Sequence, residues 1–112
     1  MSLTFVYSSM NSGKSLSLLT KHHMLTNRGY SVILAKPEVD TRSEGTISTR
    51  LGLSQPCLLI KEELSTQILK SGNKKPDFCL IDEAQFLTKE QVWELANLSD
   101  NWDIEIICYD LS

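Results

Sequence analysis

Short apolar runs alternate with segments of helical periodicity along this chain. Such runs, rich in β-branched and other apolar residues, predict five strands: Leu3 to Tyr7, Tyr30 to Lys36, Cys57 to Ile60, Phe78 to Asp82 and Ile104 to Tyr109. The runs contain few polar positions, which is typical of strands buried on both faces of a parallel sheet. Their alternation with helical segments predicts an α/β sandwich.

The first helix is predicted from Lys14 to Arg28, because Gly29 can adopt the left-handed conformation that closes a helix. Leu18, His22 and Leu25 share one stripe of that helix. Other leucines lie around the side of the stripe. We therefore expect the first helix to be largely buried.

Two further helices are predicted downstream. One covers Glu62 to Lys70, and the other starts at Thr88, whose spacing to Gln91 is that of a capping box. This start places Asp82 to Leu87 in a strand-to-helix turn. Residues Glu38 to Gln55 are rich in polar residues and are expected to form a long irregular stretch, which in compact domains is usually functional or mobile.

Length and charge narrow the class of protein. A chain of 112 residues with 41% apolar and 22% charged residues predicts one globular domain spanning residues 1–112. The net charge of −3 and the scattered basic residues argue against binding to nucleic acid or to a membrane surface. Neither a membrane span nor a signal peptide is evident, so we expect a cytoplasmic protein. The three cysteines each lie in an apolar run and are expected to be reduced core residues, with no zinc site.

A phosphate-loop motif follows the first predicted strand. It fits the pattern GxxxxGK[ST] except that serine replaces the first glycine, and its residues are Ser8, Ser9, Met10, Asn11, Ser12, Gly13, Lys14 and Ser15. In such a loop Gly13 permits the tight bend, Lys14 reaches the β- and γ-phosphates, and the hydroxyl of Ser15 serves Mg²⁺. A chance Gly-Lys-Ser at a helix start is the alternative, but the flanking strand and helix favour a nucleotide site.

A second candidate element is the apolar strand that ends in Asp82 and Glu83. The carboxyl ends of parallel strands meet at the edge where open α/β folds bind ligands. Asp82 is then suited to hold a metal, and Glu83 is free to accept a proton. The alternative is that both carboxylates merely end a strand in solvent.

A third cluster begins at Lys36, immediately after the second predicted strand. Pro37 stops that strand, so Asp40 and Arg42 can be presented over the same sheet edge. Arg42 is suited to neutralise phosphoryl charge. A solvated loop is the competing interpretation of this segment.

Three segments follow one another along the chain: the phosphate loop, the Lys36–Arg42 segment and the run Ile81–Leu87. In this order they resemble the thymidine kinases of the cytosolic, zinc-containing type, in their bacterial and phage branch. The resemblance covers nearly the whole chain. It implies a phosphate-loop NTPase (RecA-like) fold, a three-layer sandwich with a mainly parallel sheet. It also implies transfer of the ATP γ-phosphate to the 5′-hydroxyl of thymidine, with Mg²⁺, in a homo-oligomer that is a tetramer in the family.

The resemblance implies a role for each matching residue. Glu83 would be the general base, and Arg42 would stabilise the charge on the transferring phosphoryl group. The Mg²⁺ ligands would be Ser15, Asp40 and Asp82. Nucleotide contacts would come from the loop residues Ser8 to Ser15, together with Asp82 and Gln85. Thymidine would contact Met10, Phe86 and Leu111.

The sequence also departs from the family pattern. Asp110 stands where the family has glycine, and the family's downstream lid and zinc domain do not follow within these 112 residues. We therefore expect an incomplete form that phosphorylates thymidine poorly or not at all by itself and that associates with itself or with another chain. Two readings stay open beside the kinase: a nucleotide-binding or assembly module without catalysis, and a fragment of a helicase-like ATPase, since Asp82 to Gln85 also resembles the DEAQ element of such motors.

Overall fold

The computed structural model describes residues 2–8, 13–39, 45–72 and 74–111. Of residue 111, only the backbone is described. Within these ranges the elements follow the order β1 (Leu3–Ser8), α1 (Lys14–Asn27), β2 (Val32–Pro37), β3 (Thr46–Ser48), β4 (Ser54–Pro56), β5 (Leu58–Ile60), α2 (Leu64–Lys70), β6 (Phe78–Ile81), α3 (Lys89–Trp102) and β7 (Glu105–Leu111). A short 3₁₀ turn, Ala84–Phe86, lies between β6 and α3. The five strands predicted from the sequence are all present, with ends shifted by one or two residues.

The central sheet contains five parallel strands in the order β1-β7-β6-β2-β5. This confirms the predicted α/β class with a parallel sheet. The expectation that every strand is buried on both faces is wrong for β1. Because β1 lies at the edge of the sheet, its Val6 and Tyr7 side chains are exposed.

Two apolar clusters cover the two faces of the sheet. On one face, α2 and α3 pack Leu64, Ile68 and Leu95 against buried residues of β6 and β7. On the other face, α1 packs Leu18 and Leu19 against the opposite side chains of β2, β6 and β7. The protein therefore has three layers, with helices on both sides of the sheet.

Helix α1 ends as predicted but is less buried than predicted. Gly29 follows the helix in the left-handed conformation, with φ of 90°. Only Leu18, Leu19 and Leu25 are buried along α1, whereas Leu16 and several polar residues are exposed. The prediction of a largely buried helix is wrong because this layer holds one helix and a small hairpin, which leaves one side of α1 in solvent.

Helix α3 begins at the predicted capping box. The side-chain oxygen of Thr88 accepts a hydrogen bond from the Gln91 backbone N–H at 3.1 Å, and the Gln91 side chain accepts one from the Thr88 backbone N–H at 2.8 Å. The residues before this cap form the predicted strand-to-helix turn. The fixed start of α3 thus sets the position of the turn that follows β6.

The expectation of an irregular stretch over Glu38 to Gln55 needs correction. Strands β3 and β4 pair in antiparallel fashion as a separate two-stranded sheet, and Ile47 of β3 is buried against the α1 layer. Gly52 makes the turn between them possible with a φ of 86°. Because each strand has only three residues, periodicity alone does not reveal the hairpin.

Two of the three cysteines lie in the core, as predicted. Cys79 and Cys108 are buried, whereas Cys57 is only half-buried, and all three are free thiols. Burial raises the pKa of Cys108 to about 12, so this thiol stays protonated. Across the described ranges, no helix is long and apolar enough to cross a membrane.

Candidate active site

The side chain of Lys14 joins the phosphate-loop motif to the end of β6. Its Nζ atom lies 2.9 Å from Oδ1 of Asp82 and 2.9 Å from Oε1 of Glu83. Residues separated by 67 or more positions along the chain are thereby in direct contact. The two motifs that carry the nucleotide prediction therefore lie at one site, at the carboxyl edge of the sheet.

Gly13 and the first turn of α1 set the position of Lys14. Gly13 is the N-cap of α1 in the left-handed conformation, with φ of 80°, and its carbonyl accepts a hydrogen bond from Ser17 N–H at 2.9 Å. A side chain at this position would be strained, because only glycine adopts such a φ without steric cost. Lys14 is therefore the first residue of α1, immediately after Gly13.

The electrostatic environment of Lys14 is dominated by its burial and by the two carboxylates. The Lys14 side chain is only 8% exposed. Burial alone would lower its pKa, but the contacts with Asp82 and then Glu83 outweigh that effect and raise the pKa above the ordinary 10.5. Lys14 is consequently a permanent cation at neutral pH, held against two acidic groups.

Asp82 follows β6 directly and is the most buried acidic residue of the site, at 4% exposure. Its backbone N–H donates to the Ala35 carbonyl at 2.9 Å, which fixes the strand end against β2. Ser15 Oγ donates to Asp82 Oδ2 across 3.4 Å, a long hydrogen bond. Asp82 Oδ1 is buried, and its partner is the Lys14 amine 2.9 Å away.

This donor set fits Mg²⁺. Magnesium prefers oxygen ligands and usually takes only one or two of them from the protein, the rest coming from water and substrate phosphates. The Asp82 carboxylate and the Ser15 hydroxyl are such oxygens, and they lie next to each other at the end of β6, with Lys14 as the present partner of Asp82 Oδ1. The described part of the chain gathers no group of three or more acidic, His or Cys residues that could hold a metal ion, and the predicted ligand Asp40 lies outside it.

Glu83 has an unusual backbone conformation for a residue with a side chain. Its φ and ψ are 56° and 39°, in the left-handed region. Residues held in this region cost free energy and occur often at functional sites. The Glu83 side chain is 35% exposed, so its carboxylate is open to solvent while it contacts Lys14.

Two more buried oxygens lie at the same sheet edge. The hydroxyl of Ser8, at the end of β1, and Oδ1 of Asp110, near the end of β7, are buried and make no hydrogen bond to another described residue. The strands that carry them are adjacent in the sheet, and Tyr7 is the register partner of Asp110. Polar groups that the fold leaves unsatisfied therefore concentrate where the candidate site lies.

The remaining predicted site residues are only partly described. Ser9, Met10, Asn11, Ser12, Asp40 and Arg42 lie outside the described residues. Leu111 ends β7, and only its backbone is described. Phe86 lies in the 3₁₀ turn after Glu83 and is 52% exposed, so its ring is accessible from solvent.

Sequence reasoning missed two contacts of the site. The prediction that Lys14 and Gln85 contact the nucleotide stays a prediction; in addition, the Lys14 amine and the Gln85 amide both contact the Glu83 carboxylate, the latter with Nε2 2.6 Å from Oε2. The spacing of Glu83 and Gln85 gives no hint of this bond, because residues two apart do not face each other on a helix. The left-handed backbone at Glu83 was equally invisible in the sequence.

The lysine of the motif lies at the start of the helix after β1 and contacts an aspartate that ends a parallel strand. This is the arrangement of phosphate-loop nucleotide-binding proteins. The fold and site thus define a protein of that class. The family model described as thymidine kinase matches residues 1–112. The chain belongs to the thymidine kinase family.

Curated relatives agree with this assignment. The chain is 43% identical over 113 aligned positions to the thymidine kinase of Zymomonas mobilis. This alignment covers 97% of this chain and 58% of that relative. It is 39% identical to the thymidine kinases of Escherichia coli K12 and Photorhabdus laumondii, again over 97% of this chain, and over 55% and 56% of those relatives. The chain spans somewhat more than half the length of the relatives it matches.

Proposed function

We propose that this chain forms the ATP-binding part of a thymidine kinase, which transfers the ATP γ-phosphate to the 5′-hydroxyl of thymidine. The observation that carries the proposal is the position of Lys14 Nζ, 2.9 Å from both Asp82 Oδ1 and Glu83 Oε1. A phosphate-binding cation, a metal-binding acid and a proton acceptor therefore share one small site. Phosphoryl transfer needs these three functions together.

Lys14 would act on the phosphates. Lys14 is the first residue of α1, and the N-terminus of a helix favours an anion. A bound triphosphate offers Lys14 more negative charge than the two carboxylates do, so the amine would exchange these partners for the β- and γ-phosphates. The exchange frees the Glu83 carboxylate for chemistry.

Glu83 would act on the acceptor hydroxyl. As the 5′-oxygen of thymidine bonds to the γ-phosphorus, the bond from that phosphorus to the bridging oxygen of ATP breaks, and ADP leaves with the electron pair. Glu83 takes the proton of the 5′-hydroxyl. The partial exposure of this carboxylate supports the role, because the acceptor must reach it from outside. General-base catalysis of this kind typically contributes about 10²–10⁴-fold in rate.

The Ser15 hydroxyl and the Asp82 carboxylate would hold Mg²⁺, with Asp40 as a further predicted ligand. A bound Mg²⁺ would neutralise charge on the phosphate oxygens during transfer. The buried acceptor Asp82 Oδ1 and its neighbour Ser15 support this assignment. Arg42 keeps its predicted role in stabilising the transferring phosphoryl group.

The nucleoside would bind beside the 3₁₀ turn. Phe86 offers an exposed aromatic ring three residues after Glu83, which suits contact with a flat base. Met10 and Leu111 are the other residues predicted to line this pocket. Tight positioning of the nucleoside would supply much of the rate enhancement.

We further infer that copies of this chain associate. Strand β1 is an edge strand, and its Tyr7 is 63% exposed. Exposed edge strands pair readily with another chain, and exposed apolar side chains add to the driving force. Light scattering on purified protein would measure the oligomeric state; a strictly monomeric species at all concentrations would contradict this inference.

The kinase proposal is tested by ADP release that depends on thymidine. The purified 112-residue polypeptide and the purified protein encoded by the complete reading frame that contains it are each incubated with ATP and Mg²⁺, with and without thymidine. The proposal predicts thymidine-dependent ADP and dTMP in equal amounts from the product of the complete reading frame, little or none from the 112-residue polypeptide alone, and loss of this turnover in the Glu83→Gln variant. ATP binding without thymidine-dependent turnover in either form would favour the module without catalysis. Salt-sensitive binding to single-stranded DNA would instead favour the helicase-like alternative.

A further inference from the structure

Each oxygen of the Glu83 carboxylate has its own partner. Lys14 Nζ donates to Oε1 at 2.9 Å, and Gln85 Nε2 donates to Oε2 at 2.6 Å. The Gln85 bond is short and the Lys14 bond has the ordinary length, and both reach a charged acceptor, which strengthens a hydrogen bond. The carboxylate is therefore held on two sides although it is partly exposed.

The two partners differ in what they do when nucleotide binds. Under the proposed function, Lys14 moves its amine to the phosphates and gives up its bond to Oε1. Gln85 is neutral and carries no comparable attraction to phosphate. Of the two donors, Gln85 is the one that can stay on the carboxylate during the reaction.

The backbone around Gln85 is fixed enough to support this task. The 3₁₀ turn is closed by hydrogen bonds from Phe86 N–H to Glu83 O and from Leu87 N–H to Ala84 O, both 3.1 Å long. Ala84 is buried in the core between the sheet and α3. The left-handed backbone of Glu83 then allows the side chains of Glu83 and Gln85 to meet across a single turn.

We infer that Gln85 is a positioning residue for Glu83. It anchors Oε2, so that Oε1, once released by Lys14, faces the acceptor hydroxyl in a defined orientation. This inference rests on the proposed function, and it assigns Gln85 a task distinct from contact with the nucleotide. An unanchored carboxylate would sample many rotamers, and small errors in the placement of catalytic groups cost up to about 10²-fold in rate.

The test compares Gln85→Leu with Asn97→Leu, which makes a similar amide-to-apolar change at an exposed position on α3. Both variants are made in the complete reading frame. We expect Gln85→Leu to lower kcat about tenfold to a hundredfold, while the Kd for ATP stays within about twofold of the wild type. Asn97→Leu should leave both values unchanged. A second replacement, Gln85→Met, gives the same comparison if the leucine variant does not fold.

A double-mutant cycle with Glu83→Gln separates positioning from other roles. If Gln85 acts through Glu83, adding Gln85→Leu to Glu83→Gln lowers kcat no further. The inference would be overturned if Gln85→Leu lowered kcat by the same factor in the Glu83→Gln variant as in the wild type. A Gln85→Leu variant with normal kcat and weakened ATP binding would also overturn it. Absence of thymidine-dependent turnover in the wild type would remove the proposed function itself, which distinguishes the two failures.

Discussion

The two edges of the central sheet differ in how their polar groups are satisfied. At the amino edge, Asp77 Oδ2 accepts from Ser31 N–H at 2.8 Å, and the Asp77 carbonyl accepts from Glu105 N–H at 3.1 Å. At the carboxyl edge, the hydroxyl of Ser8 and Oδ1 of Asp110 are buried and make no hydrogen bond among the described residues. Such groups cost free energy in the folded protein. The amino edge is thus built for stability, and the carboxyl edge is suited to a ligand.

Helix α3 connects these two edges and has a left-handed acidic residue near each end. Glu83 precedes it with φ of 56°, and Asp103 follows it with φ of 54°. The Asp103 turn is a helix end closed by Ser99, whose carbonyl accepts from Asp103 N–H and whose hydroxyl donates to Ile104 O at 2.9 Å. Glu83 instead contacts Lys14. The same backbone strain therefore serves a turn at one edge and a charged site at the other.

The largest effect is expected at Glu83. Glu83→Gly should lower turnover of thymidine by about a hundredfold to ten-thousandfold, because it removes the general base. The fold should survive, since glycine adopts the left-handed conformation easily. Steady-state kinetics with circular dichroism as a check on folding would measure both effects.

The matched control is Asp103→Gly, which makes a similar change at the other end of α3. It should leave kcat and KM unchanged. Equal losses of turnover in the two variants would show that the loss comes from a change in the fold, and they would remove Glu83 as the base.

Lys14→Met should destabilise the ligand-free protein by about 3 kcal/mol, because it leaves the buried carboxylate of Asp82 without a countercharge. Urea unfolding of the wild type and the variant measures the difference. A variant as stable as the wild type would mean that the ion pair contributes nothing to the fold.

The Lys14 contribution to stability should depend on pH. Because its pKa is raised in the folded protein, the contribution is complete below 10.5 and is lost as the pH rises through the higher folded value. The difference in unfolding free energy between wild type and Lys14→Met should therefore be constant at neutral pH and shrink above pH 10.5. A difference that grows with alkaline pH would contradict the raised pKa.

Thr88→Ala should cost about 1 kcal/mol in unfolding free energy, because it removes the N-cap of α3. Thr88→Ser keeps the capping oxygen and should lose much less. Thermal unfolding of the two variants side by side would measure the cap. Equal losses would assign the effect to the missing methyl group instead of the hydrogen bond.

The smallest effect is expected for the stability of Asp103→Gly. Relief of the left-handed backbone should raise the free energy of unfolding by about 0.5 kcal/mol, after the entropy cost of glycine in the unfolded chain. Chemical denaturation would detect this gain. A loss of stability would show that the Asp103 side chain contributes more to the turn than its backbone strain costs.

Much of the fold could be predicted from the sequence because its signals are local. The apolar runs fixed the strands of the parallel sheet, Gly29 marked the end of α1, and the Thr88–Gln91 spacing marked the start of α3. The hairpin of β3 and β4 was missed because its strands are too short for a period to emerge. The exposed side of α1 was missed because it depends on what packs beside the helix.

The sequence predicts that Lys14, Asp82 and Glu83 lie at one edge of the sheet, and these three side chains do meet. Their finer contacts could not be predicted. The bond from Gln85 to Glu83 depends on a left-handed residue followed by a 3₁₀ turn. No propensity favours a glutamate in that conformation, so only the folded backbone reveals it.

We propose that Lys14 and the carboxylates after β6 form one nucleotide site. Calorimetric titration with ATP and Mg²⁺ is the decisive experiment, and it compares the wild type with Lys14→Met and with the control Lys21→Met, two turns further along α1. The wild type and Lys21→Met should bind ATP alike, and Lys14→Met should bind at least about tenfold more weakly, as expected for loss of a charge-assisted hydrogen bond. Equal ATP affinity in all three proteins, or no ATP binding by the wild type, would contradict it.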